Sequence, residues 1–157
     1  MDGFRRNPGA AWLTGGMNLV DQNGRQRRYL PPYRYSFRRL VRCNIIFHPA
    51  TFVRLDTFRR LGMFDRGLKF AMDYDLWLRL AEQTAPVVLD RPLASFRVHA
   101  GSRSMTRADL AFAEEFLVRK RFLQRHHRAH WPHSLAYGVR KLFNRRAVRS
   151  MLAMNGD

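Results

Sequence analysis

Apolar residues recur at helical spacing in the stretch "KFAMDYDLWLRL", residues 69–80, which also holds two acidic residues. Apolar side chains at positions 72, 76 and 80, joined by those at 77 and 81, predict a helix from about residue 70 to residue 83. Residues two apart do not share a helix face. We therefore expect Asp73 and Asp75 to face different surroundings and not to form one paired site.

Runs of apolar and β-branched residues predict several strands. The run "AAWLTGGMNLV" leads into "DQNGR", whose Asn-Gly pair is typical of a tight turn, and "QRRYL" follows as the returning strand. The run "IIFHPATFVR" predicts a buried strand that Pro49 interrupts. Further along, "PVVLD" and "LASFRVH" predict two more strands, separated by Arg91 and Pro92.

Caps and apolar stripes predict the remaining helices. Ser36 is a suitable N-cap for a short helix, and "LDTFRRLG" predicts one or two helical turns that Gly62 closes. A long helix is expected over residues 106–127, and an amphipathic basic segment over residues 131–152.

Composition sets the class of protein. The chain has 157 residues, 46% of them hydrophobic, which is enough for a domain with a real core. Mixed strands and helices predict an α/β domain over residues 1–105, followed by a helical basic extension over residues 106–157. No apolar stretch reaches membrane-spanning length and no signal-peptide pattern begins the chain, so we expect a cytoplasmic location.

The formal net charge is +17, but half of the 12 acidic residues lie between residues 49 and 100, so the basic excess sits on the two flanks. Such flanks attract phosphates, whether of a nucleotide, a nucleic acid or an anionic membrane. A genome biased towards arginine codons is an equally good explanation. The segment from Trp131 onward is expected to lie peripherally on the inner face of an anionic membrane, with packing against another part of the protein as the alternative. No nucleic-acid-binding motif accompanies the charge, so we expect no specific nucleic-acid partner.

Asp73 stands at the entrance of the predicted helix, where two roles are open to it. As an N-cap it would accept amide hydrogen bonds and benefit from the helix dipole. A carboxylate held rigidly at the edge of a pocket could equally serve as a general base. Asp75 is expected to cap the helix or to orient Arg79, which lies at the i+4 position where an ion pair is natural.

An ordered series of motifs resembles a known family. The run "HPATFVRLDTFRRLGMFDRGLKFAMDYDLWLRLA" followed by "PLASFRVHAGSRS" is similar to the C-terminal half of family 2 inverting glycosyltransferases of the nucleotide-sugar-binding A-type fold. "AAWLTGGMNLVDQNGR" also resembles the strand and turn that follow the metal-binding Asp-x-Asp in those enzymes. The resemblance covers roughly residues 8 to 104 and implies that A-type fold.

The resemblance assigns the catalytic base. In the family the base-bearing helix opens with a Glu-Asp pair whose second member is the base, and here the two positions are Met72 and Asp73. The first acid is thus absent and the second is kept. Asp73 would accept the proton of an acceptor hydroxyl as that oxygen attacks the anomeric carbon, a role worth on the order of 10²–10⁴ in rate.

The same resemblance distributes the other site residues. The "FRVHAGSRS" stretch fits the family's Arg-x-His-x-x-Ser-x-Ser ending at every position, which implies that Arg97, His99, Ser102 and Ser104 bind the donor diphosphate and that His99 is a tentative metal ligand. On the acceptor side it implies His48 and Thr51, from "HPAT", together with Trp77.

The family's N-terminal αβ unit, which holds the nucleotide and ends in Asp-x-Asp, has no counterpart in this sequence, because the resemblance starts just after it. Divalent Mg²⁺ or Mn²⁺ is therefore expected in a complete enzyme and is doubtful for this chain alone. The expected partners are a nucleotide-sugar donor and a glycan or lipid-linked acceptor. Two alternatives stay open: a basic module that binds nucleic acid or an anionic membrane, and a non-catalytic remnant of a glycosyltransferase gene.

We predict that the 157-residue chain by itself does not transfer sugar, because loosely held substrates lose most of the advantage of alignment. Calorimetry with several nucleoside diphosphates plus Mn²⁺ should show no tight binding, and donor hydrolysis should stay at background. Affinity in the micromolar range, or measurable turnover, would contradict this expectation.

Overall fold

A mixed sheet of four strands, with helices packed against it, forms the part of the chain described by the computed structural model, residues 2–98 and 108–126. This confirms the mixed α/β class. In chain order the elements are α1 (Asp2–Arg6), β1 (Trp12–Val20), β2 (Gln26–Leu30), α2 (Phe37–Arg42), a 3₁₀ turn (His48–Ala50), β3 (Thr51–Val53), α3 (Leu55–Arg60), α4 (Met72–Gln83), β4 (Val87–Arg97) and α5 (Ala108–Arg125).

Strand β1 is the hub of the sheet, because each of the other three strands pairs with it. β2 runs antiparallel to its C-terminal half and β3 antiparallel to its first residues, while β4 runs parallel along almost its whole length. Side chains on both faces of β1 are buried, as expected for a central strand.

Two glycines in β1 leave space for residues of the neighbouring strands to approach its backbone closely. The β1–β4 register shifts at Gly15 and Gly16, and Pro92 lies opposite Gly16. A Cβ atom on Gly15 would lie 2.6 Å from Leu93 Cγ and 2.9 Å from the carbonyl oxygen of Arg91. The two strands predicted on either side of Arg91 and Pro92 are therefore one strand, β4, with an irregularity at that point.

The main core lies between β1, α2, α4 and α5. The indole rings of Trp12 and Trp77 stack at its centre, with centroids 5.7 Å apart and planes inclined by 6°. Tyr74, Leu76, Leu78 and Leu80 of α4 are each almost fully buried around this stack. Helix α5, which begins the predicted basic extension, contributes Val118, Phe122 and Leu123 to the same core.

Several local predictions are confirmed. The hairpin forms as expected, and the Asp21 carboxylate holds its turn by accepting the N–H groups of Asn23 and Arg25 at 2.9 Å each. Ser36 caps α2 by accepting the N–H of Arg39. Gly62, with φ of +81°, follows the end of α3.

Other predictions are confirmed in part. Around Pro49 the predicted strand is reduced to the 3₁₀ turn and the three residues of β3. The expected helix at residues 70–83 spans Met72–Gln83, and the long helix expected at 106–127 spans Ala108–Arg125 in the described region. The basic segment at 131–152 lies outside the described residues. Within residues 2–98 and 108–126, no helix combines the length and apolar character needed to cross a membrane.

Replacing Gly15 by Ala should destabilise the fold by about 1–3 kcal/mol, because the new methyl group has no space between Leu93 and the backbone of β4. Gly9→Ala is the matched control, since nothing lies within 4 Å of a Cβ there, and it should change stability by no more than about 0.5 kcal/mol. Urea denaturation of both variants measures the difference, and equal midpoints would contradict this account of the close approach.

Candidate active site at the start of helix α4

The first turn of α4 separates its two aspartates, as the spacing predicted. Asp73 lies beside His48, whose Nδ1 is 3.9 Å from Asp73 Oδ2. Asp75 instead receives hydrogen bonds from Arg79, with Nε 2.9 Å and Nη2 2.7 Å from Asp75 Oδ2. The two carboxylates therefore belong to different networks.

The Asp75 network is structural. While it pairs with Asp75, Arg79 also donates to the carbonyl oxygen of Leu61 and, at 2.8 Å, to that of Met63. One side chain thus ties the loop after α3 to the flank of α4. The expectation that Asp75 orients Arg79 is confirmed.

Asp73 is not the N-cap of α4. The N-cap is Ala71, so Asp73 is the second residue of the helix, although its Oδ1 does accept the N–H of Tyr74 at 2.7 Å. The interpretation of Asp73 as the N-cap residue is therefore wrong, because Asp73 lies two positions after the N-cap. It retains one capping hydrogen bond while its other oxygen faces His48.

The surroundings of Asp73 raise the pKa of its carboxyl group. Its side chain is only 15% exposed, and this burial raises the pKa of the carboxyl above its usual value. The N–H of Tyr74, the His48 imidazole and the Asn44 side chain act in the opposite direction without cancelling the effect of burial. A carboxylate with a raised pKa takes up a proton more readily, which suits general-base catalysis.

His48 is the exposed neighbour of Asp73. Its side chain is 56% exposed, and its ring packs edge-on against Trp77 and Phe64, with centroids 6.1 Å and 6.3 Å apart. Trp77 itself is only 2% exposed. Trp77 therefore supports the His48 ring from within the core.

Thr51 braces the turn that carries His48. Its hydroxyl donates to the carbonyl oxygen of Phe47 at 2.8 Å and lies 2.9 Å from the hydroxyl of Thr14 on β1. These contacts fix the 3₁₀ turn (His48–Ala50) to the central strand. Among the residues expected on the acceptor side, His48 is thus the exposed one and Thr51 holds its backbone.

The structure brings Arg97, the first residue of the predicted donor motif, towards the same turn. Arg97 ends β4 and is exposed, and β4 lies against the 3₁₀ turn. Val98 and Ala50 belong to one buried cluster, so the chain that carries Arg97 passes close to the turn that carries His48. His99, Ser102 and Ser104 lie outside the described residues, so the structure does not test whether His99 is a metal ligand.

The described residues do not fit a divalent metal. Nowhere in residues 2–98 and 108–126 do three His, Cys, Asp or Glu side chains converge as ligands would. Asp73 has a single imidazole beside it, and Asp75 is engaged by Arg79. We therefore derive no step through a metal ion.

Two residues near the start of α4 were not predicted from the sequence. The Asn44 side chain acts to lower the pKa of Asp73, and its Oδ1 accepts the N–H of Ile46 at 3.2 Å. Glu114, from α5, accepts the backbone N–H groups that precede α4. Asn44 stands in an irregular loop and Glu114 lies 41 positions after Asp73, so no local pattern in the sequence indicates either contact.

No protein-family model matches this chain, and no curated protein matches it in sequence. The functional assignment therefore depends on the chemistry of the site and on the motif resemblance.

The two aspartates should respond oppositely to removal of their charge. Because the folded-state pKa of Asp73 is raised, stability falls as the pH rises from the ordinary aspartate pKa to the raised one, and the full cost of ionising Asp73 is present above it. Asp73→Asn should therefore raise the melting temperature at neutral pH, with the gain disappearing in acid. Asp75→Asn should lose about 1 kcal/mol, because Arg79 loses its ion pair.

Thermal denaturation of both variants across pH provides the comparison. If Asp73→Asn destabilises the protein at neutral pH as much as Asp75→Asn does, Asp73 is a structural cap and not a strained functional group.

Proposed function

We propose that this chain carries the catalytic base and the acceptor side of an inverting glycosyltransferase with an A-type fold. The observation that carries the proposal is Asp73: a mostly buried carboxylate with a raised pKa, held at the start of a core helix beside an exposed histidine. Buried carboxyls without a functional role are usually neutralised by a strong partner, as Asp75 is by Arg79. Asp73 instead accepts the N–H of Tyr74 at 2.7 Å and lies 3.9 Å from the His48 imidazole.

The reaction proposed for this site is a direct displacement at the anomeric carbon of the donor sugar. The acceptor hydroxyl oxygen forms a bond to the anomeric carbon of the donor sugar while the bond from that carbon to the nucleoside diphosphate breaks. The hydroxyl proton passes to an oxygen of Asp73, and the diphosphate leaves with the bonding electron pair. Attack opposite the leaving group inverts the anomeric configuration.

His48 is assigned to orient the acceptor. Its exposed imidazole lies 3.9 Å from Asp73 and is braced by Trp77 and Phe64, so it can hydrogen-bond a sugar hydroxyl without moving. Rigid support of this kind is what a positioned reaction requires. The His48–Asp73 contact also links two motifs that stand 25 positions apart in the sequence.

Met72 stands where the family has the first acid of its Glu-Asp pair. Its side chain is partly buried and packs against the main core. A single carboxylate, Asp73, is thus left at this position of the helix for proton transfer. The absence of a like charge next to it means that burial, and not repulsion between acids, sets its pKa.

The donor side is proposed from the resemblance together with the course of β4. Arg97 would contribute a cation to the departing diphosphate, with His99, Ser102 and Ser104 beyond it. A divalent ion, Mg²⁺ or Mn²⁺, is expected from the resemblance in a complete enzyme, and no step proposed for this chain depends on it. The expected acceptor is a hydroxyl of a glycan or of a lipid-linked sugar.

Asp73→Asn should lower kcat by a factor on the order of 10²–10⁴ in a transfer-competent form of the protein that contains this chain, because the amide cannot accept the proton. The KM values for donor and acceptor should change little. Asp75→Asn, assayed below its melting temperature, is the control and should retain turnover. Turnover of the Asp73 variant within a few-fold of wild type would rule out this assignment.

A further inference from the structure

Helix α4 begins without a cap of its own. Its N-cap residue is Ala71, whose methyl side chain cannot accept a hydrogen bond, whereas Ser, Thr, Asp and Asn are the usual N-caps. The N–H groups at and before a helix start need acceptors, most of all when the backbone there is buried. Ala71 is 1% exposed, so water does not readily supply them.

Glu114, on α5, supplies the missing acceptor. Its Oε2 lies 2.5 Å from the N–H nitrogen of Phe70 and 2.7 Å from that of Ala71, and both carboxylate oxygens lie 3.0 Å from the nitrogen of Lys69. Three consecutive backbone N–H groups thus converge on one side chain from another helix.

The charge of Glu114 suits this position. Partial burial acts to raise the pKa of Glu114, but the N–H groups of Lys69, Ala71 and Phe70 outweigh it and hold the pKa below its ordinary value. The carboxylate is therefore ionised at neutral pH, and a negative charge at a helix N-terminus is favourable.

A second contact from α5 reaches α4 directly after Asp73. Arg119, which is 2% exposed, places Nε 3.4 Å from the hydroxyl oxygen of Tyr74. That hydroxyl in turn donates to the carbonyl oxygen of Leu40 at 2.8 Å. One helix thus holds the backbone just before Asp73 and the side chain just after it.

We propose that Glu114 is a positioning residue for Asp73: by binding the three amides ahead of α4 it fixes the first helical turn and keeps the Asp73 carboxylate withdrawn from water beside His48. Ala71 connects Glu114 to the first turn of α4, because its N–H donates to Glu114 and its carbonyl oxygen accepts the N–H of Asp75 at 3.0 Å. The catalytic consequence rests on the proposed function, whereas the positioning itself does not.

Carboxyl-selective NMR of the full chain tests the positioning without any substrate. Glu114→Ala should loosen the first turn of α4, so that Asp73 becomes more hydrated and its pKa falls towards the ordinary value. Glu114→Gln keeps an oxygen acceptor in place and should retain most of the wild-type pKa. The Asp73 titration is fitted together with that of His48 and with Asn44 intact, because both side chains face the carboxylate.

Arg121→Ala is the matched control. Arg121 lies on the same helix and reaches the loop before α4 through Asp65, at 3.9 Å, but both side chains are largely exposed and neither touches the three amides. Its loss should leave the Asp73 titration unchanged. A shift equal to that of Glu114→Ala would overturn the proposal by showing that any weakening of α5 has the same effect.

If Glu114→Ala does not fold, the wild-type protein decides the question. The amide protons of Lys69, Phe70 and Ala71 should shift together as Glu114 titrates, and Glu114→Gln should abolish that shift. The proposal would be overturned if these amide protons did not shift as Glu114 titrates. It would also be overturned if the Asp73 pKa were unchanged in a folded Glu114→Ala variant.

Turnover measured in a transfer-competent form of the protein distinguishes the positioning role of Glu114 from the proposed glycosyltransferase function. Glu114→Ala should lower kcat on the order of 10²-fold with little change in the KM for donor, the effect of a misplaced base. Glu114→Gln should restore much of the rate. If the Asp73 pKa moves as expected while Asp73→Asn retains turnover, the positioning stands and the glycosyltransferase assignment fails.

Discussion

The stacked indoles of Trp12 and Trp77 fix helix α4 against the central strand of the sheet. Their near-parallel rings, 5.7 Å apart, are among the most buried side chains of the protein. Trp12 Nε1 also donates to the carbonyl oxygen of Thr84, just beyond the end of α4, so the strand contacts the helix at its middle and at its end. Such aromatic pairs add about 0.5–1.5 kcal/mol beyond the area they bury. Asp73 lies four residues before Trp77 and therefore on the same face of the helix, which explains how His48 contacts both.

A partly buried carboxylate costs free energy, and the two aspartates of α4 show two ways of meeting that cost. Asp75 is neutralised by a guanidinium that also holds two carbonyl groups of the neighbouring loop. Asp73 is left with amide and imidazole neighbours, which moderate the effect of burial without removing it. A residue kept in a destabilised state by the surrounding fold is a common feature of functional sites. The contrast between the two aspartates is the main physical support for a base at position 73.

Helix α5 belongs to the architecture of this site. Val118, Phe122 and Leu123 anchor it in the main core, and that anchor lets Glu114 and Arg119 act on α4 from fixed positions. Burial raises the pKa of Tyr74 to about 12, so its hydroxyl stays protonated and continues to donate to the end of α2. The first turn of α4 is therefore held from α2 and from α5, and its geometry depends on both.

The sequence by itself determined the elements whose signals are local. The hairpin after β1, the cap at Ser36, the stop at Gly62 and the span of α4 all follow from residues within a few positions of one another, where turn chemistry, capping and periodicity act. The separation of Asp73 from Asp75 and the Asp75–Arg79 pair follow from helical spacing in the same way. Motif resemblance added an expected role for Asp73, which is a statement about chemistry and not about contacts.

Only the tertiary structure decided which groups lie around Asp73. The close approach of β4 to β1 near Pro92 depends on Gly15, which is more than 70 positions away, and the neighbours of Asp73 come from the loop at Asn44 and the turn at His48. The acceptor for the amides ahead of α4 comes from still further along the chain, at Glu114. Such contacts are set by how whole elements pack, so each depends on many side chains together and leaves no short pattern in the sequence. The same packing sets the burial of Asp73, and with it the pKa on which its proposed chemistry depends.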